Sequence, residues 1–378
     1  MLFPGFGCSL LIRVNMTAQL ATPSLDPIAV SFVNERQLPL VYQPASEDAS
    51  KPGFLQEWIP ENRERLAEDL RIFGALLFRG FCIPDSSTFE QIALALDARL
   101  AQQYPGTSTR SRVAGRVFTA TDLPSYYPIP QHAEMSYMPT PPRKVFFFCQ
   151  VAPGEGGETP LSDLRKVWSD LSGPLREKVE RRGIKHIRVH GSPLEKRAFR
   201  LFGGRRWSDV FDTKDPAQAE SAARAQGHAV SWLPDGSMKL ENTLPGFRVH
   251  PQHRTVAWHN QAQVYHPGGV LLEYEHIVAY QQTLRSKLVN LVLKLVNALR
   301  RQFGDPEHYD LNATYGDGTP IERSELEEIV NTTWRHLACF RWLPGDLLVV
   351  DNYSVSHGRL PFRGKRQILV ALTDSYPT

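Results

Sequence analysis

Cysteine is scarce in this chain: four in 378 residues, at Cys8, Cys82, Cys149 and Cys339, with no C-x-x-C pair. That excludes a disulfide-stapled scaffold and a cysteine-built zinc ribbon, and it suits reduced thiols in a cytoplasmic protein. An excess of one charge sign is lacking too. Lys and Arg (43) nearly balance Asp and Glu (40), leaving a formal net charge of +3, and the basic residues are scattered rather than blocked. Neither nucleic acid nor an anionic membrane is therefore expected as a partner. No apolar run is long enough to cross a bilayer. The longest apolar helical pattern, Leu284 to Phe303, carries Lys287, Lys294, Arg300 and Arg301. Nor do residues 1–14 read as a secretory leader: no positive charge precedes their apolar stretch, Pro4 and Gly5 interrupt it, and Arg13 closes it. Residues 1–15 read instead as an upstream extension, with translation starting at Met16. There is no internal repeat, and nothing in the chain speaks to oligomeric state.

What remains, 42% apolar and 22% charged, has the profile of an ordinary globular protein. Residues 17–52, rich in Pro, Ser and Ala, are expected to wander over the surface, so that 1–52 is an extension and arm and 53–378 a single domain. Leu66, Leu70 and Phe73 recur at i, i+4 and i+7, which predicts a helix that Gly74 stops and a buried strand over 75–78. Ser87 with Glu90 has the pattern of a capping box ahead of a second apolar helix face. Aromatic and β-branched runs predict strands at 116–121 and 145–151, with others at 184–190, 256–260, 347–350 and 367–372. Helices are expected over 162–171, 174–182 and 276–303, and from a second capping box, Ser324 with Glu327, to about residue 334. Residues 191–255 show little pattern and are read as an insertion that partly covers a site. The fold class is mixed α and β, a sheet sandwich or barrel with helices outside.

The chemistry centres on His132 and Glu134. On a β-strand, residues two apart share a face, so a metal could meet both without bending the backbone. His357, far along the chain, would complete two histidines and one carboxylate, the set that suits non-haem ferrous iron and leaves three positions open. A dicarboxylic oxo-acid such as 2-oxoglutarate would chelate that ion at one end and need a fixed cation at the other. Arg366, at the start of the last strand, is placed for this, because a guanidinium binds a carboxylate through two hydrogen bonds and stays charged when buried. Thr159, after Gly156-Gly157, offers a hydroxyl to the same carboxylate. Arg359 and Arg363 are the competing anchors, and Arg359 has a second reading as the partner of a metal-bound carboxylate. Arg110, Arg112 and Arg116 read as a solvated basic face, with an anchor for an anionic substrate or a carrier's phosphopantetheine arm as the alternative. His259 and Asn260 have an even claim to face a substrate. A zinc hydrolase is disfavoured, since there is no H-E-x-x-H helix and Pro139, Pro141 and Pro142 follow the first ligands.

The motifs His132-Ala133-Glu134-Met135-Ser136-Tyr137, Phe146-Phe147-Phe148-Cys149, Gly156-Gly157-Glu158-Thr159-Pro160-Leu161-Ser162-Asp163, Asp351-Asn352, His357-Gly358-Arg359 and Phe362-Arg363-Gly364-Lys365-Arg366 together resemble the taurine dioxygenase and clavaminate synthase-like superfamily. The resemblance runs from about Gly74 to Tyr376, and its wording is nearest the syringomycin-type hydroxylases of nonribosomal peptide pathways. It implies a double-stranded β-helix (a jelly-roll, cupin-like core) with surrounding helices and a lid insertion. It also implies iron(II) held by His132, Glu134 and His357, 2-oxoglutarate held by Thr159 and Arg366, and dioxygen as the second co-substrate. The activity implied is hydroxylation or desaturation of an amino acid or peptide-like metabolite, free or tethered to a carrier protein. The alternatives are a non-redox metal-binding module of the same fold and a catabolic enzyme acting on a small free acid. Three departures shape the expectation. Ala133 replaces a usual Asn near the substrate. Val370 stands where taurine dioxygenase has a second arginine, which disfavours a sulfonate substrate. Glu134 replaces the more usual Asp and, unlike the Ala or Gly of the halogenating relatives, leaves no room for chloride.

Overall fold

The computed structural model describes residues 27–104, 110–120, 123–193, 205–303 and 306–377. Its centre is the strand Lys144–Val151, whose alternating side chains serve two different cores. Phe146 and Phe148 point to one face and pack with Leu76, Phe78, Phe89, Ile92 and Leu369. Val145, Phe147 and Cys149 point to the other, into the core that holds Leu161 and Val355, with Phe147 against the His357 ring. This is the period-two alternation of a strand buried on both sides, which requires a nearly continuous apolar run.

Eight strands form the main sheet, in the order Ile28–Phe32, Leu40–Pro44, Ala75–Phe78, Leu347–Asp351, Lys144–Val151, Gln367–Leu372, Val117–Thr119 and Arg112–Ala114. A smaller sheet orders Leu337–Ala338, Leu161–Asp163, Val355–Arg359 and Ile129–His132. A third joins Ala229–Trp232, Met238–Leu244, Ile184–His190 and Leu311–Tyr315. The class is mixed α and β, as the sequence predicts.

Several expectations need correction. Residues 27–52, expected to be a loose arm, instead supply the strands Ile28–Phe32 and Leu40–Pro44, and the second pairs in parallel with Ala75–Phe78. Their Val, Ile and Leu fill the outer core with Ile28 and Leu40 almost fully buried, so apolar burial overrides the Pro- and Ser-rich composition. The domain therefore begins before residue 53. The predicted Ser87 box does not form. Asp85 caps the helix Ser86–Leu96 through Thr88 N–H, and Glu90 turns away to accept from Arg116 N–H. Likewise Glu322 with Glu325, rather than Ser324 with Glu327, caps Arg323–Arg335. The long helix over 276–303 is two, Pro267–Gln281 and Leu284–Phe303, broken where Gln282 takes φ 53°. Cys82, Cys149 and Cys339 are free thiols, as expected, while Cys8 and the extension over residues 1–15 lie outside the described residues. No helix among the described residues is long and apolar enough to cross a membrane.

Candidate metal centre

Strand pairing brings the two histidines together. His357, on Val355–Arg359, stands directly opposite His132 at the end of Ile129–His132, and their ring centroids are 4.5 Å apart. The pairing shifts register between His357 and Arg359. Gly358 permits this close approach, since a Cβ there would stand 2.7 Å from Ile129 O. Each of His132, Glu134 and His357 offers a ligand atom, and these atoms lie within 4.8 Å of one another.

Glu134 reaches this position differently from the strand argument. The strand ends at His132, and Glu134 sits in the turn that follows, where Ser136 N–H bonds back to Ala133 O and Met135 takes φ 54°. The side chains converge because the turn is clamped from across the molecule. Asn352 Oδ1 accepts from Glu134 N–H at 2.6 Å, and its Nδ2 donates to Glu134 O and Pro142 O at 2.9 Å each. His259 Nε2 in turn donates to Asn352 O at 3.1 Å, while its Nδ1 accepts from Arg248 Nε. His259, given an even claim to the substrate, is thus a support of the metal turn, and Asn260 is spent on Gly246 O and Ala262 N–H. Gln261 and Gln263 donate to Ala133 O and Gln131 O, fixing the same segment from another side.

Two of the three donor groups, His132 and Glu134, are in the state a metal needs. A carbonyl can only accept, so the 2.9 Å contact of His132 Nδ1 with Pro130 O puts the ring hydrogen on Nδ1 and leaves Nε2 with a bare lone pair. Burial, with the His357 ring nearby, pulls the His132 pKa down to about 4, so the ring is neutral at physiological pH. Burial pushes the Glu134 carboxyl up, but Arg110 and the two histidines more than offset this and hold it below the usual carboxylate range. His357 presents Nε2 to Glu134 Oε2 at 3.5 Å. Its Nδ1 is buried without a hydrogen-bond partner among the described residues, and the Phe147 ring lies 5.0 Å away, so packing orients this ring.

Arg110 and Tyr104 are the residues sequence reading undervalued. Arg110 is no solvated face. Its side chain is 6% exposed and donates to Glu134 Oε2 at 2.9 Å, with the guanidinium 4.5 Å over the Tyr104 ring. Tyr104 OH donates to the other oxygen, Oε1, at 3.1 Å. Nε and Nη1 of Arg110 are buried with no partner among the described residues. Arg112 and Arg116, by contrast, are bound to backbone carbonyls and to Gln102 at the edge of the sheet. Arg359 is held at its two Nη atoms, while its Nε is buried with no partner among the described residues. Its Nη atoms donate to the carbonyls of Leu123, Pro124 and Tyr127, which ties down the loop entering the first ligand strand.

At the proposed co-substrate end, Arg366 lies against the Gly156-Gly157 turn. Its Nε donates to Gly157 O at 3.1 Å, and a Cβ on Gly157, at φ 73°, would stand 3.2 Å from Arg366 Cδ and 2.9 Å from Phe362 Cβ. Glycine is required there on both counts. Burial, with Arg359 nearby, lowers the Arg366 pKa to about 9. Among the described residues Arg366 has no carboxylate in ion-pair range, whereas Arg363 is exposed and lies 3.6 Å from Glu155. A largely buried cation without an anion is costly, so the residues present fit an anionic ligand. Thr159 is buried two positions after Gly157 and accepts from Trp342 Nε1 at 3.1 Å, which leaves its hydroxyl hydrogen to donate.

The insertion over 191–255 packs on this centre where it is described. Asn242 donates to Tyr137 O, and Arg248 donates to Met138 O and Pro139 O, just past Glu134. Residues 194–204 of it lie outside the described residues.

The chain is similar to known proteins in both sequence and fold. The family model described as taurine catabolism dioxygenase TauD, TfdA family matches residues 43–373. The chain is 28% identical over 309 residues to the dapdiamide synthesis protein DdaC of Enterobacter agglomerans, covering 81% of this chain and 84% of that one. It is 26% identical over 351 residues to a clavaminate synthase-like protein of Arabidopsis thaliana, covering 89% and 94%. In fold it is similar to PvcB of Pseudomonas aeruginosa, with a TM-score of 0.51, 15% identity and 94% of each chain covered. AAD-2 in complex with Mn(II) and N-oxalylglycine gives a TM-score of 0.50 at 14% identity, covering 93% and 98%.

Proposed function

We propose, from the premise that the chain belongs to the taurine catabolism dioxygenase TauD, TfdA family and is a 2-oxoglutarate-dependent dioxygenase, that it hydroxylates or desaturates an unactivated carbon of an amino acid or peptide-like metabolite. His132, Glu134 and His357 are its iron(II) ligands, and Arg366 with Thr159 anchors the distal carboxylate of 2-oxoglutarate. The observation that carries this reading is the meeting of three metal-ligating side chains within 4.8 Å in a buried, braced site. The fold is read as a double-stranded β-helix, with the eight-stranded sheet facing the smaller one that bears the histidines. The described part of 191–255 is read as a partial lid on a single domain. Cytoplasmic residence would keep the free thiols reduced.

When bound, iron with 2-oxoglutarate and dioxygen supplies the oxidising centre, with oxidative decarboxylation of the oxo-acid to succinate and carbon dioxide. The chain's own part is placement. Neutral imidazoles and one carboxylate would leave the ion a net positive charge with which to attract an oxo-acid. The Asn352 clamp fixes the Glu134 backbone, and Tyr104 and Arg110 fix its carboxylate, so the third ligand is set before metal arrives. Phe147 and the apolar wall behind it keep water from that side of the ring pair. Arg110 keeps two buried nitrogens, Nε and Nη1, uncommitted among the described residues beside the centre. They suit a substrate with a free carboxylate, which favours an untethered amino acid or peptide over a carrier-bound thioester. The likeness to DdaC, a dapdiamide synthesis protein, supports a place in natural-product biosynthesis.

The test is a screen for substrate-dependent succinate release, with iron, across free amino acids, short peptides and carrier-bound thioesters. Iron-dependent release with a free acid supports the reading. Release confined to thioesters would overturn the role given to Arg110, and turnover that needs zinc rather than iron would overturn the reading as a whole.

A further inference from the structure

The helix Leu284–Phe303 faces the wrong way for a lone molecule. The side turned toward the protein carries Ser286, Asn290 and Leu293, each buried. The side turned to water carries Leu284, Leu288, Leu291, Leu295, Leu299 and Phe303, whose exposures run from 49% for Leu299 to 85% for Leu284. These six recur at spacings of three and four, so they form one stripe along a helix about 30 Å long. Single exposed leucines are ordinary, but a continuous stripe marks a contact surface.

We propose that this stripe is where two copies of the chain pair, helix against helix, about a twofold axis. Three observations favour a second copy over other covers. The stripe's exposed surface amounts to roughly 700–800 Å² per copy, about what one partner contributes to a stable interface. The leucine spacing is that of a seam able to interdigitate with itself, and a twofold contact requires such a self-complementary patch. The third observation concerns charge. Lys294 is paired with Glu275 of the neighbouring helix at 2.7 Å, and Arg285 donates to Phe362 O and Ser125 Oγ. Of the basic side chains described on this helix, only Lys287 lacks a partner within its own copy. Glu275 balances Lys294, which flanks the middle of the stripe, so like-charge repulsion at that position does not oppose the pairing of two copies.

Sedimentation velocity on the full chain at micromolar concentration tests this. The native sequence is expected to sediment as a dimer. Leu288→Glu with Leu295→Glu should yield a monomer with an unchanged circular dichroism spectrum, the dimer dissociation constant rising by about 100-fold or more. Leu291→Lys alone should shift the same equilibrium less. A native chain that is monomeric at these concentrations overturns the pairing and leaves the stripe to another cover, such as an acidic protein or anionic vesicles. A dimer that survives the double substitution overturns it too, because the contact then lies elsewhere.

Discussion

Two regions of this molecule break the usual placement of residues, in opposite directions. Around His132, Glu134 and His357 the chain buries charge, with Glu134 and His357 4% exposed and Asn352 fully enclosed. Along Leu284–Phe303 it exposes leucine. Burying a polar group is costly unless it finds partners, and leaving an apolar stripe in water forgoes its transfer free energy. Each departure therefore points to a missing partner. At the metal centre most partners are internal, and what is left over is small and ionic: three converging ligand atoms, the uncommitted Nε and Nη1 of Arg110, and Arg366 without a carboxylate. That profile asks for a metal ion and small anions. The helix has the reverse profile, a long exposed stripe of leucines closed by Phe303, and it asks for a large apolar surface.

Substitutions can break this comparison, beginning at the centre. His357→Ala or Glu134→Ala should reduce iron-supported conversion of 2-oxoglutarate to background, measured as succinate; normal turnover in either would remove that residue from the ligand set. Arg366→Ala should raise the 2-oxoglutarate concentration needed for half-maximal rate by about 30-fold or more, the cost of losing one half of a buried charge pair. Iron affinity should stay nearly constant in that variant, and an unchanged 2-oxoglutarate requirement would move the anchor to another cation. Asn352→Ala leaves Glu134 N–H, Glu134 O and Pro142 O without their partner, so metal affinity should fall by roughly 10- to 100-fold by calorimetry.

The smallest effect is expected at Glu273, a buried acid that touches neither the metal ligands nor the exposed stripe. Burial raises its pKa from 4.5 to about 8, while Trp334 Nε1 donates to it at 2.7 Å. A raised carboxyl pKa means that the folded chain holds a proton the unfolded chain releases. Its contribution to stability is full below about pH 4.5 and is lost as pH climbs through about 8. Glu273→Gln should therefore flatten the fall of the melting temperature across that window and leave the variant the more stable of the two at its alkaline end. A variant that melts in parallel with the native chain at every pH would show that Glu273 is not buried as an acid.

How much of this is legible in the sequence depends on how far apart the cooperating residues lie. The H-x-E pair, the late histidine with Asp351-Asn352 before it, and the Gly-Gly turn are short patterns, so the metal and co-substrate candidates can be named from the chain. What braces them cannot. Tyr104 and Arg110 lie 30 and 24 residues before Glu134 and act through tertiary contact, with no local pattern linking them. Asn352 can be read as part of a motif, but its grip on the Glu134 peptide spans 218 residues. The same limit applies to the fold. Alternation in the Phe146 strand gives both of its faces, whereas the strands within 27–52 are hidden by Pro and Ser and appear only through burial. The break at Gln282 carries no glycine or proline to announce it. The amphipathic character of Leu284–Phe303 is plain in the sequence, but which face points outward is not.

The most direct test is anaerobic titration of iron(II) into the native chain and into His132→Ala, Glu134→Ala and His357→Ala, reading stoichiometry and affinity. One ion per chain is expected for the native protein. Each single variant should lose at least the roughly 100-fold in affinity that even an outer partner of a metal ligand can cost. A variant at any of the three positions that binds iron as tightly as the native chain would contradict the account.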